Sequence, residues 1–362
     1  SGTFLYAVSC GCPVISTPIP HAKEVLSGHT GLFVDFGNSD QLAEAVISIL
    51  GNHELMNNIS LNALHKMAPT AWENSAIAHA NLFESLIPHA LKLNYSIPEI
   101  NLTHIKRMTS DFGIFQFAKI AHPDRASGYT LDDNARALIA MCQHFASTGD
   151  TRDLYLINTY LQFIKYCSQP DGSFLNYVNE QRFFTSQNFA ENLEDSNGRA
   201  VWALGYLVSL KEILPVKLVE QAEALIRKAF PSLDKIHSTR AMAFVIKGLH
   251  YQGEKSNFHL IKTLSDRIVQ MYRHERVNGW LWFENYLTYG NSTLPEALLC
   301  AYISTGEVLY KNIAKESFDF LLTKIFTNGK INVISNRGWM IKGRVTEMKA
   351  GGEQPIDVAY TI

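Results

Sequence analysis

Apolar positions first come in short runs, then in long stripes at helical spacing. Near the amino end, the turn Ser9-Cys10-Gly11 leads into the β-branched pair Val14-Ile15, which stops at Thr17-Pro18. A glycine after an apolar stretch closes a helix, and a brief β-branched run opens a buried strand. This predicts a helix end over 4–9 and a parallel strand over 14–17. A short helix is expected at 21–26, a strand at 31–35, and an amphipathic helix over 40–50. That helix would turn Leu42, Val46 and Leu50 to the core, with Asn38-Ser39-Asp40 supplying its cap. Helices over 54–66 and 71–86 follow, and 88–98 reads as a linker.

From about residue 101 the period changes. Helical stripes are expected over 131–147, 154–168, 196–214, 215–230, 239–251, 258–273, 294–304 and 309–325, with another beginning near Gln354. A motif recurs at the start of every second helix. It reads Asp132-Asp133-Asn134-Ala135-Arg136, then Glu194-Asp195-Ser196-Asn197-Gly198-Arg199. Looser copies are His237-Ser238-Thr239-Arg240, Asn291-Ser292-Thr293-Leu294-Pro295-Glu296 and Gly352-Glu353-Gln354-Pro355-Ile356-Asp357. Each copy opens an apolar helix that an amphipathic helix follows. Such a repeat predicts stacked helical hairpins with inner and outer layers and the inner N-termini at one end. The expected fold is mainly α: an (α/α) toroid over 96–362, cut short at its carboxyl end, preceded by a partial α/β Rossmann-like lobe over 1–95.

Charge and cysteine content narrow the function classes. The 362 residues carry a formal net charge of −2, which leaves no electrostatic footprint for nucleic acid. No apolar run is long enough to span a bilayer. Cys10, Cys12, Cys142, Cys167 and Cys300 are scattered, so neither a disulfide framework nor a metal site is expected, and all five read as packed thiols in a cytoplasmic protein.

Three groups of residues carry candidate chemistry. Thr17, Pro18, His21 and Glu24 follow the end of the first strand, where open α/β sheets bind ligands and a helix start can hold a diphosphate. Asp132, Asp133, Glu194, Asp195, Glu296, Glu353 and Asp357 gather at inner-helix starts, where the helix dipole also stabilises an acidic side chain. Arg136, Arg199 and Arg240, one turn further in, can pair with carboxylates of neighbouring inner helices. The aromatic loops supply Tyr129, Trp282 and Tyr286 as sugar-facing rings, while Phe174 and Trp280 suit either ligand contact or closure of the barrel mouth.

The run 1–50 resembles the nucleotide-sugar half of retaining GT-B glycosyltransferases of family 4, through Ala7–Thr17 above all and through Trp72-Glu73 in the later helix. The second glutamate of that family's pair falls at Tyr6, and its usual Gly-Gly at His21-Ala22. The turn Pro170-Asp171-Gly172-Ser173-Phe174 and the two strongest motif copies resemble the six-hairpin glycosidase-like toroids. The resemblance implies no cofactor, a nucleotide sugar as donor in the full-length protein, a carbohydrate ligand, and a further GT-B lobe before Ser1.

The expected function is therefore part of a glycosyltransferase polypeptide in glycan synthesis, with a fragment that does not transfer sugar alone. Two alternatives stay open. Asp132, Asp133, Asp195 and Glu296 could serve a hydrolase, lyase or epimerase through paired carboxylates, or the toroid could be a noncatalytic glycan-binding module.

Overall fold

The computed structural model describes residues 2–87, 98–327, 330–334, 338–344 and 354–362. The chain divides into two compact units, Ser1–Ile100 and Asn101–Ile362.

The first unit contains α1 (Gly2–Ser9), β1 (Ile15–Ser16), α2 (Pro20–Val25), β2 (Leu32–Phe33), α3 (Ser39–Gly51), α4 (His53–Met67) and α5 (Trp72–Leu86). β1 and β2 pair in parallel, with Ile15 opposite Leu32. Gly11 turns the chain after α1 at a positive φ of 69°, and the Asn38 side chain caps α3 by accepting from the Gln41 N–H. Val8, Ala22, Val25, Leu26 and Ala63 form its small core. The expected core stripe of α3 does not face it: Leu42, Val46 and Leu50 are exposed, and Ile49 is the buried residue. A two-stranded sheet is too narrow to cover a whole helix face.

The second unit is built from helical hairpins. After α6 (Thr103–Met108) come α7 (Leu131–Thr148), α8 (Asp153–Cys167), α9 (Glu194–Ser209), α10 (Val216–Leu233), α11 (Thr239–Gln252), α12 (Phe258–Glu275), α13 (Thr293–Thr305), α14 (Val308–Ile325) and α15 (Pro355–Thr361). The second hairpin starts with α9, which ends at Ser209, short of the expected Leu214, because turns occupy 210–214.

Helices α7, α9, α11 and α13 pack side by side in that order, and α8, α10, α12 and α14 each back the inner helix before them. This is the two-layered arrangement of an (α/α) toroid. The inner helices are apolar nearly all round, as α11 shows: every residue from Thr239 to Leu249 is buried. The outer ones bury one stripe, such as Leu218, Val219, Ala222, Leu225, Ile226 and Ala229 of α10.

Two glycines let α9 and α11 approach backbone to backbone. A Cβ on Gly205 would lie 1.9 Å from the carbonyl oxygen of Gly248, and one on Gly248 would lie 2.5 Å from that of Val201.

Short strands tie the loops at the inner N-termini. β3 (Ala118–Lys119) pairs with β4 (His122–Pro123), β5 (Tyr129–Thr130) with β6 (Tyr177–Val178), and β8 (Phe326–Thr327) with β9 (Lys330–Ile331). β7 (Tyr286–Leu287) pairs antiparallel with β10 (Met340–Ile341).

Among the described residues no helix is long and apolar enough to cross a membrane. Cys142, Cys167 and Cys300 are buried, whereas Cys10 and Cys12 are exposed, which corrects the expectation that all five thiols are packed. Those two sit where the chain turns at the surface of the first unit, so no core surrounds them.

Candidate functional site

The inner-helix starts are fastened to their loops by the asparagines of the repeated motif. Asn134 Oδ1 accepts from the Ile114 N–H at 3.0 Å, and Asn197 Oδ1 accepts from the Phe174 N–H at 2.8 Å. The Asn197 amide also donates to the Phe174 carbonyl at 2.9 Å. These side chains explain why asparagine recurs in the motif: it satisfies loop backbone groups that the fold would otherwise bury unpaired.

The carboxylates and cations then interlock. Asp132 on α7 pairs with Arg199 on α9, and with Arg136 at 3.0 Å. Asp133 accepts from the Thr130 hydroxyl at 2.5 Å and lies 3.3 Å from Arg136. Burial, reinforced by Asp132, pushes the Asp133 carboxyl above its ordinary value. Glu194 accepts from the N–H groups of His237 and Ser238, at 2.9 and 2.5 Å, and so caps the next inner helix. Asp195 accepts from the Ser238 hydroxyl at 2.5 Å and from the Tyr289 hydroxyl at 2.7 Å. Burial, then the adjacent Asp195 carboxylate, pushes Tyr289 up to about 12, so it stays a donor at neutral pH.

Arg240 is the second residue of α11, not one turn inside it, and its partner is a loop residue that the sequence did not single out. It lies 3.0 Å from Glu284, and both side chains are almost wholly buried. It also donates from Nε to the Tyr289 carbonyl at 3.0 Å. Glu296 pairs with another missed residue, Lys247, at 2.6 Å. Lys247 stands over the Trp202 ring at 3.6 Å, and burial lowers its pKa against the opposing pull of Glu296. Asp357 accepts from the Gly290 N–H, and burial raises its pKa. Glu353 lies outside the described residues.

Two cavities take some of these residues, while Asp132, Asp133, Glu194, Arg199 and Asp357 line neither. The first, of about 730 Å³, opens between the α11 start, the end of α12 and the loop before α13. Asp195, Arg240 and Tyr286 line it together with Glu275, Glu284, Thr288, Tyr289 and Trp339. Tyr286 and Trp339 pack at 5.1 Å between ring centroids, an aromatic lip joined by the β7–β10 pairing. The second, of about 690 Å³, lies among α7, α9, α11, α13, α14 and α15, where Arg136, Trp202, Lys247, Glu296 and Tyr360 line it. Asp195 and Glu296 thus face different cavities.

Several expected ligand contacts are core residues. Trp282 is fully buried and packs edge-on to Phe283, 5.2 Å away. Tyr129 is 4% exposed, stacks on Phe115 at 4.5 Å and meets the Ser110 hydroxyl at 3.1 Å. Phe174 and Trp280 are buried as well. Burying these rings removes large apolar areas from water, which stabilises by about 25 cal/mol per Å². In the first unit, Thr17 and Pro18 follow β1, while His21 and Glu24 are exposed on α2. His21 packs edge-on to Phe4 at 5.9 Å. Trp72 begins α5 and is highly exposed.

Among the described residues no three His, Cys, Asp or Glu side chains gather as a metal site would require.

Residues 1–52 match the family "Glycosyl transferases group 1". No curated protein matches the chain. Two solved structures are similar to parts of the chain: a cellobiose 2-epimerase from Bacillus thermoamylovorans B4167 and a sugar epimerase from a ruminal bacterium. The first is 12% identical, with a TM-score of 0.49 over 63% of this chain and 73% of that one. The second is also 12% identical, with a TM-score of 0.47 over 78% of this chain and 73% of that one. The chain joins a segment similar to group 1 glycosyl transferases to a helical-hairpin unit whose own helix packing gives the two layers of an (α/α) toroid.

Proposed function

We propose that the chain is part of a glycosyltransferase polypeptide acting in glycan synthesis, in which the helical unit binds the acceptor carbohydrate. On this reading the first unit belongs to the nucleotide-sugar lobe of a GT-B family 4-like enzyme, with Thr17, Pro18, His21 and Glu24 at the donor side, and it works with a further GT-B lobe. The observation that carries the proposal is the cavity lined by Asp195, Arg240, Tyr286 and Trp339. Its volume falls within the roughly 300–1,000 Å³ of ligand pockets, and aromatic faces beside fixed polar groups suit pyranose rings.

Binding is favoured over hydrolysis by the state of the carboxylates. Asp132 is matched by Arg199 and Arg136, Glu284 by Arg240, Glu275 by Lys342 and Glu296 by Lys247. A carboxylate whose oxygens are engaged by a cation is not free to meet a glycosidic oxygen. Calorimetry of the full-length protein with nucleotide sugars tests the donor half of the proposal: failure to bind any of them would refute it. The isolated chain is expected to transfer no sugar.

One observation favours a second reading, that of a glycoside hydrolase-like, lyase or epimerase domain. Asp133 has a raised pKa beside Asp132, the environment of a general acid. If that pair cleaves glycans, Asp133→Asn abolishes cleavage; cleavage that persists in this variant removes Asp133 from the mechanism.

A further inference from the structure

Charge around the mouth cavity narrows the ligand further. Three carboxylates line it: Asp195, Glu275 and Glu284. Arg240 neutralises Glu284 at 3.0 Å, and Lys342 Nζ neutralises Glu275 at 3.0 Å. Among the described residues the hydrogen-bond donors to the Asp195 carboxylate are neutral, the hydroxyls of Ser238 and Tyr289, one on each oxygen. A carboxylate offers about four acceptor positions, so Asp195 keeps about two for a ligand. Thr288 lines the same cavity, is 4% exposed, and its hydroxyl has no hydrogen-bond partner among the described residues. The lip across the opening is aromatic, and the faces of Tyr286 and Trp339 attract cations.

We infer that the sugar taken by this cavity carries a protonated amine. The inference rests on the carbohydrate reading above and adds the substrate class: an amino sugar with a free amine, whose ammonium meets Asp195 and whose ring lies against Tyr286 and Trp339. A neutral sugar brings no cation to the Asp195 carboxylate, and an acidic sugar meets it with repulsion. N-acetylation removes the charge and adds bulk at the same atom, so it is the natural contrast.

The test titrates the chain calorimetrically with a glucosamine tetramer, with its fully N-acetylated form and with a galacturonic acid tetramer, at pH 6.5 and low salt. The expected result is glucosamine-tetramer binding about tenfold tighter than the acetylated form, weakened by salt, with no binding of the acid. Asp195→Asn is expected to bring the first two affinities together, and Asp195→Glu, which keeps the charge, to preserve the preference; thermal melts of both variants verify the fold. Equal affinity of wild-type protein for the amine and acetylated tetramers, or tighter binding of the acid, overturns the inference and leaves the carbohydrate reading standing. If no tetramer binds, the carbohydrate reading of the cavity fails with it.

Discussion

Lys247 Nζ lies 2.6 Å from Glu296 Oε2 and 3.6 Å from the centre of the Trp202 ring, so one buried cation links α9, α11 and α13. Lys247 is almost wholly inaccessible, while the Glu296 side chain is 36% exposed. Removing one partner of a fully buried ion pair costs about 3–5 kcal/mol. With Glu296 partly in water, Glu296→Ala is expected to lose about 2 kcal/mol in urea unfolding. Lys247→Met keeps the apolar stem over Trp202 and leaves an exposed carboxylate, so it is expected to lose less. The reverse order would show that the Trp202 contact, not the ion pair, holds the lysine.

Gly205 and Gly248 make the second prediction. Their helices meet where no Cβ fits, so Gly205→Ala must push α9 away from α11 or distort one of them. Overpacking costs about 1–3 kcal/mol, and here the obstructing atom is backbone, which cannot rotate aside. Loss of at least about 2 kcal/mol in chemical denaturation is expected, against the small gain that alanine usually brings to a helix interior. A stabilised variant would mean that the two helices are not in backbone contact.

The helical hairpins were legible because their apolar period is long and regular. Helix ends agreed to within a residue or two at α7, α11, α12 and α14. The motif copies identified the inner helices, since polar residues recur only where those helices begin. What the sequence hid were partners distant along the chain. Glu284 and Lys247 sit in no motif copy, yet each completes an ion pair whose other member was noticed. Trp282 and Tyr286 share one aromatic loop, and only the fold decides that the first is core and the second lines a cavity. Trp339 carried no local signal at all, because its place on the lip depends on the pairing of β10 with β7. The α3 stripe misled for a related reason: periodicity gives a face but not what covers it.

Trp339 is 48% exposed, and its ring contact is Tyr286. Trp339→Ala should therefore leave stability within about 0.5 kcal/mol, as surface changes do. If the cavity holds a sugar ring against this lip, glycan affinity falls about tenfold, a stacking contribution of roughly 1.4 kcal/mol. Titration calorimetry alongside thermal unfolding separates the two effects. An unchanged affinity in a folded variant would move the ligand away from the lip.

Asp133 gives a pH dependence opposite in sign to ordinary acid denaturation. Its folded-state pKa is raised above the usual 3.8, chiefly by burial. Between the unfolded and folded values the native state binds more protons than the unfolded chain, so the group's contribution to stability grows as pH falls through its folded value and is lost as pH rises through it. Asparagine mimics the protonated form at every pH and can still accept from Thr130. Asp133→Asn is thus expected to be at least as stable as the wild type at neutral pH, with the difference shrinking as the pH is lowered towards about 4. Urea unfolding of both proteins across that range measures the difference directly. A gap that widens on acidification would mean that Arg136, 3.3 Å away, outweighs burial and holds the carboxylate charged.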